Sequence, residues 1–121
     1  MATNYVQEGN TIQWTNGGSA VVSGAVVVIG AMLGIALVDI GAGETGSVAI
    51  EGVFNVPKVD AAVIAAGETV VWDSSASEFD DSAATPASGD VSGGATAIEG
   101  KGANTGATIA IKLSGQAGTL T

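Results

Sequence analysis

The chain has 121 residues, a net charge of −9 and 46% hydrophobic residues, which bounds it to one domain around one core. It contains no cysteine and no histidine, and its three cations are all lysine, so a disulfide framework, a thiolate or imidazole metal site and the commonest catalytic base and nucleophile are excluded. Twelve carboxylates give the wrong sign for neutralising nucleic-acid phosphates or settling on an anionic membrane.

The first ten residues carry no basic segment ahead of an apolar run, so no secretory leader is expected. Residues 11–14 read as a strand. Residues 20–38 are apolar apart from Ser23 and three glycines, long enough to span a bilayer. Against a span stand the β-branched run at 26–29, glycines at 24, 30 and 34, and the lack of flanking Lys or Arg. Two short buried strands, 25–29 and 33–38, linked at Gly30, fit better. The spacing of Gly30 and Gly34 matches GxxxG, which has meaning only inside a genuine span.

The run 41–46, Gly-Ala-Gly-Glu-Thr-Gly, matches G-x-G-x-x-G. A nucleotide fingerprint needs a helix after it, whereas Val48 and Ile50 alternate with Ser47, Ala49 and Glu51 as in a strand, so a hairpin turn is expected. Residues 53–56 continue the β pattern. Asp60 as N-cap, Val63 and Ile64 as apolar face and Gly67 as stop predict one short helix over 60–67. A strand follows at 69–72. The stretch 73–94 is rich in Ser, Asp, Ala and Gly and reads as a long acidic loop or a pair of weak edge strands. A weak strand at 95–98 and a clear one through Ile109, Ile111 and Leu113 complete the pattern. Residues 45–50 and 105–111 share a faint echo, too short to define a repeat.

The predicted fold class is therefore all-β: a small single-domain β-barrel or sandwich with one short helix and a long acidic loop. Residues 1–14 form an N-terminal arm and first strand, 15–115 the β-rich domain and 116–121 a C-terminal tail.

Little chemistry is available to this composition. Asp73 with Glu78 or Asp80 is the best carboxylate pair for glycoside hydrolysis, and it lacks aromatic sugar platforms apart from nearby Trp72 and Phe79. Asp73, Glu78, Asp80, Asp81 and Asp90 are the acids available to a hard cation such as calcium, but they lack EF-hand spacing. The simpler reading is that these acids solvate a loop. Trp14 and Trp72 read as core or rim residues rather than ligand platforms. No catalytic residue, cofactor, metal or small-molecule substrate is assigned.

Several segments resemble the phage capsid decoration or cement proteins, a family first grouped as being of unknown function. They are Asn4-Tyr5-Val6-Gln7-Glu8-Gly9-Asn10-Thr11, Ala42-Gly43-Glu44, Glu51-Gly52-Val53-Phe54-Asn55-Val56-Pro57-Lys58, Ala66-Gly67-Glu68-Thr69-Val70-Val71-Trp72-Asp73 and Ile109-Ala110-Ile111-Lys112-Leu113-Ser114-Gly115. Within them Glu51, Gly52, Val53, Phe54, Pro57, Lys58, Trp72 and Asp73 form the signature. Val71 departs from the usual tyrosine, and the 73–94 stretch is longer and more acidic than the family pattern. The resemblance implies a non-enzymatic virion protein made in the host cytoplasm. It would sit as a homotrimer on the outer capsid surface, where it bridges capsomers of the major capsid protein without nucleic acid, membrane or cofactor. The candidate capsid contact is Asn4, Tyr5, Val6 and Gln7, with Tyr5 and Val6 equally readable as part of the domain's own first strand. The competing expectation is a surface-exposed β-sandwich that binds a host glycan or receptor.

Overall fold

The computed structural model describes residues 9–104 and 108–121. These residues form ten strands and no helix: β1 (Thr11–Thr15), β2 (Val26–Ile29), β3 (Met32–Ala36), β4 (Thr45–Ala49), β5 (Glu51–Pro57), β6 (Thr69–Asp73), β7 (Glu78–Asp80), β8 (Val91–Ala97), β9 (Thr108–Ser114) and β10 (Thr119–Leu120). They build two antiparallel sheets, a small one ordered β1-β4-β3-β2 and a larger one ordered β5-β9-β8-β6-β7, with β10 beside β8. The chain changes sheet across the single residue Ile50.

Period-two alternation decides which side chains meet. In β9, Ile109, Ile111 and Leu113 are fully buried while Lys112 is exposed, so one face of the strand is core and the other is wet. In β3, Leu33 and Ile35 join Val56, Val70, Trp72, Phe79, Val91, Ile109 and Ile111 in the main core between the sheets. A second cluster covers the other face of the small sheet, where Val27, Ala36, Ile40 and Val48 pack with half-buried Ile12 and Trp14. Each such aliphatic side chain taken from water contributes roughly 1.5–3 kcal/mol.

The sheets interlock at a glycine. A side chain on Gly94 of β8 would come within 3.0 Å of Leu33 Cγ and Cδ1, so Leu33 occupies the space that the missing Cβ leaves. Gly94 lies in a β-bulge. Val70 pairs with Ala95 but Val71 pairs with Ser92, which leaves Gly93, at φ +77°, and Gly94 between the two registers. Strand β8 therefore runs across both glycines from Val91, well before the expected start at residue 95.

The expected helix over 60–67 is absent. Its residues bury with period two: Ala62 and Ile64 are buried while Val63 is 62% exposed. Long-range backbone bonds impose that path, from Val59 N–H to Phe79 O (2.9 Å), Ile64 N–H to Lys101 O (2.8 Å) and Asn104 N–H to Asp60 O (2.7 Å). Tertiary pairing thus overrides a local capping signal too short to nucleate a helix on its own.

The 73–94 stretch is neither one loop nor a full pair of strands. It holds the short edge strand β7, a loop over 81–90 and the beginning of β8. Glycines 41–46 turn the chain into β4, with Gly43 at φ +78° and Glu44 N–H bonded to Gly41 O, and no helix follows. No helix among the described residues is long and apolar enough to cross a membrane.

Candidate functional site

The two halves of the signature, fifteen positions apart in sequence at Pro57 and Trp72, line one open cavity of about 390 Å³. The strand β5 carries Glu51 to Pro57 antiparallel to β9, and its register places Phe54 opposite Ile111. Phe54 lies over Gly52, where a Cβ would meet the ring at 3.2 Å. Val53 is exposed, Val56 is core, and Pro57 lines the cavity. Lys58 ends this run fully buried. Its Nζ donates to Val59 O at 2.7 Å and to Asp60 O at 3.1 Å. The lysine therefore holds the turn that follows β5, and its charge is kept away from the cavity.

Trp72 supplies the opposite wall. It is buried in β6 and stands against Phe79 of β7, with ring centroids 4.9 Å apart and planes at 58°, a tilted geometry that suits the ring quadrupoles. Phe79 in turn bridges to Lys58 through a parallel backbone pair. Aromatic packing and this bridge bring the Pro57-Lys58 and Trp72-Asp73 parts of the signature together.

The third wall is the segment 20–26, together with Ser77 of the β6–β7 turn. The sequence reading took it as part of the apolar stretch 20–38, with a strand from residue 25, and did not place it at a site. It is fixed to 36–40 by the Val21–Ile40 bridge, by Gly24 N–H to Ala36 O (2.7 Å) and by Ser23 Oγ to Leu37 O (3.2 Å). Val22, which lines the cavity, is 67% exposed and gives it an apolar lip. The available signal was the Ser23-Gly24 pair, a turn that leaves the preceding valine on the outside, ahead of the strand expected from residue 25.

Three carboxylates adjoin the walls through a hydrogen bond or in sequence, and none of them lines the cavity itself. Asp39 accepts from Ser23 N–H at 2.8 Å, and Asp73 and Glu78, opposite each other in the hairpin register, adjoin Trp72 and Ser77. The lining itself carries no charged side chain of either sign.

The acids considered for catalysis or calcium mostly hold turns. Asp73 Oδ1 accepts from Ser75 N–H, Ser75 Oγ and Ala76 N–H, closing the β6–β7 turn. Asp81 Oδ1 accepts from Ala83 N–H. The buried Asp90 accepts from Ala87 N–H at 2.9 Å and from both donors of Ser74, and these bonds, that of Ala87 foremost, hold its pKa below the ordinary carboxylate value. Glu68 is lowered likewise, by Ala65 N–H first and then by Ser82. Among the described residues no group of three or more acids is placed to hold a metal ion. Trp14 lies half-buried against the second cluster. The expected contact residues Asn4, Tyr5, Val6 and Gln7 lie outside the described residues, as does the 105–107 part of the sequence echo.

A family model described as phage cement protein matches residues 6–113, which takes in both halves of the signature and every wall of the cavity. No curated protein and no solved structure matches the chain.

Proposed function

Because the chain belongs to the phage cement protein family, a family of capsid-associated structural proteins, we propose that it binds the outer surface of an assembled phage head and holds neighbouring capsomers together. The family match over residues 6–113 carries this reading. The major capsid protein is the partner, and three copies act as a homotrimer.

The physics of such a role needs no catalysis. A protein that binds only the assembled shell stabilises it by mass action, and three linked footholds raise avidity without new chemistry. The net charge of −9 suits an outward position, since it repels packaged DNA and polyanionic cell surfaces. Asn4, Tyr5, Val6 and Gln7 form one foothold, as an arm ahead of β1 that adds to a sheet edge of the shell. The protein is made in the host cytoplasm, needs no cofactor and joins the shell after assembly.

The test is co-sedimentation of the purified protein with expanded, undecorated heads of a phage that encodes a closely similar protein. It is read together with the temperature or osmotic shock at which the heads rupture. Saturable binding with delayed rupture is expected, and a chain lacking residues 2–8 should fold and fail to bind. Absence of binding to matched heads overturns the reading.

A further inference from the structure

The cavity lies beside a sheet edge. Strand β2, Val26-Val27-Val28-Ile29, ends the small sheet, and among the described residues no strand pairs with its far side. Edge strands of monomeric proteins are normally blunted by a charge, a proline or a bulge. This one is short and carries no charge, proline or bulge: it is four β-branched residues in regular register with β3. Val26 belongs both to the edge and to the cavity wall. Apolar lip, cavity and open edge thus form one continuous surface.

That surface selects its occupant. A cavity of roughly 150 Å³ takes a benzene ring, so about 390 Å³ has room for a large apolar side chain with part of its neighbour. A sugar is poorly served by walls of Ala, Val, Pro and Trp in which Ser77 is the sole hydroxyl. An open edge beside such a pocket is the arrangement that binds extended peptides: main-chain bonds supply affinity and alternate side chains enter pockets. The acids Asp39, bonded to Ser23 N–H, and Glu78, next to Ser77, adjoin the walls, whereas Lys58, next to Pro57, is buried with its Nζ bonded to Val59 O and Asp60 O; in a chain of net charge −9 the complementary segment is basic beside its apolar residue.

Building on the cement reading above, we propose that the β2 edge and the Pro57–Trp72 cavity receive an extended segment of the shell protein, in which an apolar side chain is flanked by Lys or Arg. The segment adds as a strand to β2, its apolar side chain fills the cavity beneath Val22, and its cations face Asp39 and Glu78. This contact uses none of the residues Asn4–Gln7 and gives each copy a second foothold.

The experiment compares binding of the full chain and four variants to undecorated heads, with a photo-crosslinking residue at position 22 as an independent readout. Val22→Lys places a charge on a side chain that is 67% exposed, and Ala25→Phe fills the cavity from its wall. Each should keep the thermal midpoint and lose at least about tenfold in affinity, as for one central interface side chain. Should Ala25→Phe fail to fold, Val22→Lys decides. The pair Asp39→Asn with Glu78→Gln should flatten the salt dependence of binding. Val63→Lys, on a side chain 62% exposed in the segment paired with Lys101, should change nothing. Crosslinking from position 22 should capture a shell-protein peptide that contains Lys or Arg. Unchanged affinity of Val22→Lys, equal loss in Val63→Lys, or crosslinks only to a second copy of this chain would overturn the inference while leaving the cement reading intact. Failure of the unaltered chain to bind matched heads would instead remove the cement reading, and this inference with it.

Discussion

Leu33→Ala tests whether the two sheets are held together where the geometry indicates. Leu33 is 1% exposed, and its Cγ and Cδ1 fill the slot over Gly94. Truncation removes three carbons, about 2.4 kcal/mol at ~0.8 kcal/mol per methylene. The void adds to this, because the glycine beneath has no side chain with which to close it, and a total of about 3–4 kcal/mol is expected, within the usual range for buried leucines. For a chain of this length the entropy of unfolding is about 0.25 kcal/mol/K, so the midpoint should fall by about 12–16 °C. Urea titration and thermal unfolding by circular dichroism measure both quantities. The partner variant Gly94→Ala should cost about 1–3 kcal/mol by overpacking against Leu33. In the double variant the new methyl occupies part of the void, so the combined loss should be smaller than the sum by more than about 0.5 kcal/mol. Additive losses, or a Leu33→Ala loss below about 1 kcal/mol, would refute the idea that this contact locks the sheets.

Lys58→Met removes the donor that serves the carbonyls of Val59 and Asp60 but also relieves the burial of a charge; a net loss of about 1–2 kcal/mol by urea titration is expected, and a gain would show that desolvation outweighs the bonds. Asp90 and Glu68 both have folded-state pKa values below their ordinary ones, so they contribute stability in full above the unfolded carboxylate range, and that stability is lost as pH falls through the depressed values. The thermal midpoint should therefore decline below about pH 4.5, and the combined variant Asp90→Asn with Glu68→Gln should flatten that decline. Gly118→Ala should detach β10 from β8, since a Cβ there would meet Ser92 O at 2.4 Å and Gly94 N at 2.7 Å; hydrogen exchange at Thr119 and Leu120 would then rise, and unchanged protection would contradict the packing.

The alternation of Ile109, Ile111 and Leu113 was legible because a strand with one wet face writes its period directly into the chain. Strands β1, β2, β3 and β6 were legible for related reasons, their β-branched and aromatic runs being bounded by glycine or polar turns. The reading failed where distant partners outweigh local preference. Asp60 to Gly67 carries a helix cap and stop, yet Phe79, Lys101 and Asn104 draw it into extended pairing. Gly93 and Gly94 look like loop and are the bulge of β8, because Gly93 takes φ +77° and a glycine at 94 leaves room for Leu33.

The site divides in the same way. The signature residues from Glu51 to Lys58 and at Trp72-Asp73 were visible in the sequence, as was the resemblance they carry, since both are properties of residues adjacent along the chain. That Pro57 and Trp72 share one cavity, that 20–26 forms its third wall and that β2 ends the small sheet among the described residues were not. Sequence by itself determined the β periodicity, the acidic charge, the family signature and the lack of common catalytic side chains, because composition and short-range order are sufficient for these. Only the tertiary structure decided which strands end the sheets and which walls meet, because those depend on sheet order and on packing between residues fifteen to sixty positions apart, about which local pattern carries no information.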